Sequence, residues 1–195
     1  MEVQIINPLA IRAAATLANA GYTASVFQVR REGSDARGSG TNGYASISVL
    51  VPAKFNRWPD GKSLTFSGAA VRSMMRGIGR SLKTASFAKL SFSGGFVSAS
   101  TEGEGTATQT KFDVSRDRFF DKLAGYDWTK GAAKSNVEGG RVNPHNMKLA
   151  SQAFEQLALN VPVKLEPGSD GRTYTMTAEV GAVRACAVIV RSHES

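Results

Sequence analysis

The fold of this 195-residue chain is decided by the stretch Ser67-Gly68-Ala69-Ala70-Val71-Arg72-Ser73-Met74-Met75-Arg76. Ser67 is a preferred helix N-cap, because its hydroxyl accepts a hydrogen bond from a free backbone N–H group of the first turn. The apolar Val71 and the basic Arg72 follow four and five positions after the cap, so they point about 100° apart around the helix. One face of this helix can therefore pack on a sheet while a cationic face points away.

The same design of cap, apolar residue and basic residue occurs twice more in the chain. Its two other copies are Asn7-Pro8 with Ile11 and Arg12, and Asn143-Pro144 with Met147 and Lys148. Proline at the first helical position loses only an N–H group that has no partner there, so each helix has a defined start. The sequence predicts an α+β fold of three repeated strand–helix–antiparallel strand units, with the helices on one face of antiparallel sheets.

The predicted organisation is a domain of two units at 1–118, a linker at 119–135 and a third unit at 136–195. The first unit is predicted as strand 2–6, helix 8–20, strand 22–31 and strand 44–51. The second is predicted as strand 62–66, helix 69–84 and strands 86–93, 95–101 and 105–114. The third is predicted as strand 137–142, helix 144–158 and strands 160–166, 172–180 and 182–191. We expect the Gly/Ser-rich stretch 33–43 to be a mobile loop and 52–61 to connect the first two units.

Composition favours a folded protein with a polyanionic partner. The 42% hydrophobic content supports a core, and the net charge of +8 with a pI near 9.9 favours nucleic acid or an acidic membrane surface. A generally basic protein without such a partner is the alternative. No apolar run reaches 18 residues and no signal-peptide pattern begins the chain, so we expect no membrane association and a cytoplasmic location.

Catalytic and metal-binding signatures are missing from the sequence. Cys186 is the only cysteine and lies in an apolar run, where a buried small hydrophobe is the simplest interpretation. His145 and His193 are far apart in sequence, so we expect no metal site and no cofactor. The Gly-rich stretch lacks the Lys-Ser/Thr ending of a phosphate-binding loop. We expect a protein that is not an enzyme.

Basic residues form the most informative pattern. Arg72, Arg76, Arg80 and Lys83 recur every three or four positions, which predicts one cationic stripe along the second helix. Such a stripe neutralises phosphates without reading bases and gives binding that is sensitive to salt and independent of sequence. A solvated helix face without a partner is the alternative interpretation.

Several segments resemble DNA sliding clamps, the bacterial beta clamps and their ring-shaped, PCNA-like relatives. The run from Ala70 to Ile78 is similar to the clamp helix that ends in Arg-Gly-Leu, and three short strands follow it. The residues Phe112-Asp113-Val114-Ser115, with Phe119, Leu123, Asp127 and Trp128, resemble the strand and interdomain linker that come next. Residues 137–191 resemble the final clamp unit, whose last strand ends in Arg191.

The resemblance implies a homo-oligomeric ring that encircles double-stranded DNA and tethers a DNA polymerase as a processivity factor, with a clamp loader as a further partner. It implies DNA contacts from Arg12, Arg72, Arg76, Arg80, Lys83 and Lys148. It also implies a groove for a short hydrophobic partner peptide, formed by Leu123, Val163, Val188, Val190 and Arg191.

This chain departs from the sliding-clamp pattern in unit number and charge. Known rings contain twelve units, two per domain, whereas the sequence predicts three per chain, and an odd number breaks the alternation of junctions. The usual clamp is acidic overall. A chain this small and basic would suit a phage or plasmid replication system.

Two further hypotheses belong to other functional classes. A protein that coats single-stranded nucleic acid would carry aromatic residues among basic ones on an exposed sheet. Here Phe87, Phe92 and Phe96 lie on predicted strands and fit a core. An enzyme with a site assembled from scattered residues is the third hypothesis.

Overall fold

A computed structural model describes residues 1–18, 25–94, 96–103, 106–113, 141–157, 162–168 and 173–192, with the backbone only for 103, 106–113 and 191–192. The strands are β1 (Glu2–Ile5), β2 (Val26–Glu32), β3 (Asp35–Thr41), β4 (Ala45–Asn56), β5 (Ser63–Ser67), β6 (Phe87–Ser93), β7 (Phe96–Gly103), β8 (Thr106–Asp113), β9 (Arg141–Val142), β10 (Lys164–Pro167), β11 (Thr173–Val180) and β12 (Val183–Ser192). The helices are α1 (Leu9–Ala18), α2 (Gly68–Ile78) and α3 (Pro144–Gln156), with a 3-10 turn at Ser81–Lys83. The predicted linker 119–135 lies outside the described residues.

The described elements form three units of strand, helix and three-stranded antiparallel meander. Unit 1 contains β1, α1 and β2 to β4; unit 2 contains β5, α2 and β6 to β8; and unit 3 contains β9, α3 and β10 to β12. All described strand pairs are antiparallel, and the longest path through them runs β10-β11-β12-β4-β1-β6-β7-β8. The predicted α+β class of repeated units is thereby confirmed.

Units 1 and 2 meet through a reciprocal exchange of strands. The first strand of unit 1, β1, pairs with β6, and the first strand of unit 2, β5, pairs with β2. Val3 lies opposite Leu90 at this junction, and both side chains are fully buried. The two units are therefore related by a local two-fold arrangement.

Units 1 and 3 meet through their last strands. β4 pairs with β12 from Arg184 opposite Leu50 to Ile189 opposite Ala45. Beyond this stretch the same edge of β4 pairs with β1. The long strand β4 therefore joins all three units into one sheet system.

The prediction of a mobile loop at 33–43 is wrong, because β3 occupies most of this stretch and pairs along both edges, with β2 and with β4. The physical reason is the close approach of α1 to the sheet. A Cβ atom at Gly40 would lie 1.7 Å from the carbonyl oxygen of Ala14, so only glycine fits beneath the helix. Ala10, Ala13 and Ala14 are also small and fully buried.

Two predicted boundaries in the first two units also differ from the structure. β4 continues to Asn56, so residues 52–56 of the predicted 52–61 connection belong to this strand. The connection to unit 2 therefore begins after Asn56. α2 ends at Ile78 instead of continuing to 84, and Gly79 donates its N–H to Met75 O at its C-terminus. Gly77 and Gly79 lower the helix propensity of this end, so the chain tightens into the 3-10 turn.

Candidate nucleic-acid interface

Helix α2 presents a cationic side opposite its packed side. The Oγ of Ser67 accepts a hydrogen bond from the N–H of Ala70 at 3.3 Å, which fixes the helix start as the sequence predicts. Val71, Met74 and Ile78 are buried at the sheet. The remaining side therefore faces solvent, and Arg72 and Arg76 are exposed on it.

Arg80 and Lys83 continue this exposed surface beyond the end of the helix. Arg80 precedes the 3-10 turn and Lys83 is its last residue, so these two cations do not lie on α2 itself. Both are exposed. We call Arg72, Arg76, Arg80 and Lys83 together the α2 stripe. Within the described part of the chain, no ion pair neutralises any of the four.

Arg12 lies on a helix that has little free surface. α1 packs on β3 and β4 on one side and against α3 and α2 on others, and most of its residues are buried. Arg12 is half-buried on the narrow remaining face, and its carbonyl oxygen accepts a hydrogen bond from Thr16 Oγ1 at 3.0 Å. Asn7 Oδ1 caps the helix by accepting the Leu9 N–H at 3.2 Å.

Lys148 is exposed on α3, but the charge around it is mixed. Asn143 Oδ1 caps this helix by accepting the His145 N–H at 2.9 Å. Glu155 is exposed seven residues after Lys148, which places both on the same helix face. α3 therefore adds a single cation to the helix layer, compared with four in the α2 stripe.

A buried amide pair that the sequence did not predict holds α3 against unit 1. Asn42 Nδ2 donates to Asn146 Oδ1 at 3.2 Å, and Asn42 Oδ1 accepts the N–H groups of Tyr44 and Ala45 at 2.9 and 2.8 Å. Asn42 is completely buried and Asn146 nearly so. Nothing in the sequence links these two asparagines, because the contact depends on the β4–β12 junction.

The three helices form one layer, because α1 contacts both α2 and α3. The structure therefore brings Arg12, Arg72, Arg76 and Lys148 to helices of the same layer, and Arg80 and Lys83 follow directly after α2. The stripe is its most strongly cationic part.

A groove of about 480 Å³ lies on the sheet, on the face away from this helix layer. Residues from β3, β4, β10, β11 and β12 line it, including Arg37, Ser48, Lys164, Glu179, Arg184 and Cys186. The Arg37 guanidinium donates to both Glu32 carboxylate oxygens at 2.6 and 2.7 Å and to Ser48 Oγ at 3.1 Å. Burial raises the pKa of the Cys186 thiol to about 11, so it stays protonated near neutral pH.

Only part of the predicted peptide groove comes together. Val188 and Val190 follow Cys186 at intervals of two on β12, so they share the face of the observed groove, with Val188 half-buried and Val190 exposed. Val163 instead packs against the core. The Arg191 backbone pairs with Val142 of β9, and Leu123 lies outside the described residues.

Among the aromatic side chains that the structure describes, only Tyr44 and Phe96 are exposed. Phe92 stacks on Phe66 with ring centroids 5.8 Å apart and packs edge-on to Trp58 at 4.9 Å. Phe87 is half-buried and Phe96 is exposed. In the described residues, three or more His, Cys, Asp or Glu side chains never cluster as a metal site would require. The described helices also include none with the length and hydropathy needed to cross a membrane.

Comparison with known proteins defines the fold. No protein-family profile and no curated protein sequence matches the chain. In structure it is similar to the DNA polymerase III beta subunit of Thermotoga maritima, with a TM-score of 0.60 and 10% identity over 99% of this chain and 65% of that one. It thus spans 65% of the length of that subunit. It is also similar to the PCNA of A. fulgidus, solved with the C-terminal region of FEN-1 bound, with a TM-score of 0.58 and 8% identity over the whole of both chains.

A viral protein shows the same likeness. PF-8, the DNA polymerase accessory subunit from Kaposi's sarcoma-associated herpesvirus, gives a TM-score of 0.54 and 13% identity over 98% of this chain and 99% of that one. The chain therefore has the fold of the DNA sliding clamps. The predicted resemblance is confirmed at the level of fold.

Proposed function

We propose that this protein is a sliding clamp, a ring that encircles duplex DNA and tethers a DNA polymerase as a processivity factor without catalysing a reaction itself. The observation that carries the proposal is the exposed α2 stripe on a chain with the sliding-clamp fold. Its cations sit on the helix layer, opposite the sheet groove.

In this proposal, one physical effect gives affinity for DNA and another keeps the protein on it. Contacts between Arg or Lys and phosphates are independent of sequence, and they weaken as salt rises because binding releases counterions. They orient the duplex and still permit it to slide. Retention on DNA comes instead from the closed ring, which cannot leave unless the ring opens or the DNA ends.

A comparison of closed and linear DNA tests this function. Because a closed ring must be opened to enter a circle, the protein is incubated together with the clamp loader of its own replication system. The DNA is a nicked circular plasmid or the same plasmid cut once, and each sample is passed through a gel-filtration column. We expect co-elution with the circle, and release when a restriction nuclease cuts that circle. Equal retention on both forms would contradict encirclement and would favour a protein that coats DNA.

We further propose that the polymerase binds at the sheet groove next to Val188. Two of the cations that line the groove already have carboxylate partners, since Arg37 pairs with Glu32 and Lys164 with Glu166. Arg184 has no ion pair among the described residues, so it can take a carboxylate or backbone carbonyl of a partner segment that also supplies apolar side chains. The resemblance to sliding clamps instead implies a groove that takes a short hydrophobic peptide.

Arg184→Glu tests the groove, because Arg184 is exposed at its rim. Primer extension on a circular template is measured with a polymerase from the same replication system. We expect the variant to remain on the circle but to lose the lengthening of products. Lys54→Glu, an exposed cation of β4 outside the groove lining, is the matched control and keeps the wild-type effect. Equal product lengths with the two variants would mean that the polymerase does not bind at this groove.

A further inference from the structure

We propose that unit 3 joins a second copy of this chain through the edge of β10, in the same reciprocal way that units 1 and 2 join within the chain, and that the assembled ring contains four chains. The number of four chains rests on the proposed function. The pairing of β10 rests on the fold alone.

The evidence starts at the junction of units 1 and 2. There β6, the first strand of the unit 2 meander, pairs with β1, the first strand of unit 1, and Ala88 and Leu90 of β6 are completely buried. β10 holds the position in unit 3 that β6 holds in unit 2. Among the described strands, β10 pairs only with β11. The described part of the chain therefore offers no cross-unit partner to unit 3 at β10.

The side chain of Leu165 shows the consequence. It lies opposite Met176, which belongs to the buried core, so the two side chains share the core-facing side of the sheet. Yet Leu165 is 52% exposed, whereas Leu90 of β6 is 0% exposed. A core-facing leucine is left open at the edge where the equivalent residue of unit 2 is covered by a neighbouring unit.

Backbone geometry indicates that this edge can pair. The Gly168 N–H donates to Thr173 O at 2.8 Å, and hydrogen-bonded residues alternate along an antiparallel pair. The N–H and C=O groups of Leu165 therefore point away from β11, toward the open edge. Pro167 has no N–H group to offer on that edge, so it limits pairing to a short stretch and prevents open-ended addition of strands.

The partner that fits is another unit 3. β9 pairs with β12 in unit 3 as β1 pairs with β4 in unit 1, so a second copy offers β9 to β10 as β1 is offered to β6. The same contact made in both directions gives a self-complementary interface around a two-fold axis.

A second self-complementary contact follows at unit 2. β4 and β12, the last strands of units 1 and 3, pair with each other, while β8, the last strand of unit 2, ends the described sheet. Two copies of β8 related by a two-fold axis are antiparallel, as β4 and β12 are. A chain with two different self-complementary ends can close only into rings with an even number of chains.

The size of the hole selects four chains. Three helices are described per chain, and helices pack about 10 Å apart. Six helices side by side would enclose a hole of about 9 Å, too narrow for a duplex whose two grooves alone are about 8.5 and 7.5 Å deep. Twelve would enclose about 28 Å, which admits a duplex with water around it.

Native mass spectrometry and light scattering at micromolar concentration test the inference on the full chain of 20.7 kDa. We expect a four-chain particle for the wild type and a two-chain particle for Leu165→Asp, whose carboxylate would be buried at the β10 edge. Val180→Asp, at an apolar residue 38% exposed on the neighbouring strand, is the matched control and stays tetrameric. Leu165→Pro, which removes the edge N–H group without changing charge, should also give two chains.

The possible outcomes separate this inference from the proposed function. An odd number of chains, a stable monomer, or a Leu165→Asp variant that remains tetrameric would overturn the inference. If such a particle is still retained on circular DNA, the sliding-clamp function survives. In the opposite case, the wild type is a tetramer that Leu165→Asp splits, but the wild type is lost from circular and linear DNA equally. That result would support the β10 interface and contradict the sliding-clamp function.

Discussion

Gly40 shows how one residue controls the position of a helix. Its Cα faces the backbone of α1, and a methyl group there would overlap the Ala14 carbonyl oxygen. We expect Gly40→Ala to lower the free energy of unfolding by about 3 kcal/mol or more, because the helix must shift from its packed place. Chemical denaturation measures this value.

The neighbouring glycine provides the control for this prediction. A Cβ atom at Gly38 would meet Ala14 Cβ at 3.8 Å and Ala10 O at 3.9 Å, which are ordinary contacts. We expect Gly38→Ala to change stability by less than about 1 kcal/mol. Equal effects at the two positions would mean that the approach of α1 does not depend on Gly40.

The same residues explain why part of the fold escapes sequence analysis. A run with glycine at 38, 40 and 43 has the composition of a loop, and no period of two in hydrophobicity marks β3. The strand exists because its glycines accommodate a helix that is distant in sequence. Local patterns contain no information about that approach, so they indicate a mobile loop where the structure has a strand.

Helix starts are predictable at the scale of elements, because a cap acts on its own first turn. Asn7, Ser67 and Asn143 each accept a backbone N–H group at the predicted position. Helix surroundings are less predictable. The same cap, apolar and basic pattern gives an exposed Arg72 on α2 but a half-buried Arg12 on α1, because α1 is covered by its neighbours.

The α2 stripe makes a quantitative prediction about salt. If Arg76 contacts one phosphate, Arg76→Ala should reduce the slope of log K against log salt by about 0.9 for a short duplex, since one fewer counterion is released. Fluorescence anisotropy between about 50 and 200 mM salt gives both slopes.

Lys54→Ala is the matched control for the stripe. Lys54 is also an exposed cation free of ion pairs among the described residues, but it lies on β4 outside the helix layer. We expect its slope to equal that of the wild type. A similar decrease in both variants would mean that the whole basic surface attracts DNA and that the stripe has no special role.

For the whole molecule, the proposed ring separates affinity from retention. Phosphate contacts lose strength steeply with salt, whereas a closed ring on a closed circle leaves only when a subunit contact opens. Edge-strand pairing depends on backbone hydrogen bonds and apolar burial, which salt screens far less than exposed charges. A protein already placed on a nicked circle should therefore survive a salt challenge that removes it from linear DNA.

This difference should persist in a variant with a neutralised stripe. We expect a protein with Arg72, Arg76, Arg80 and Lys83 all changed to alanine to bind a short duplex at least about 100-fold more weakly, given three or four lost phosphate contacts. Once on a circle, this variant should stay with the DNA for nearly as long as the wild type. Leu165→Asp should instead bind the short duplex with nearly the wild-type affinity but be lost from the circle. Parallel loss of affinity and retention in the stripe variant would mean that charge alone holds the protein on DNA.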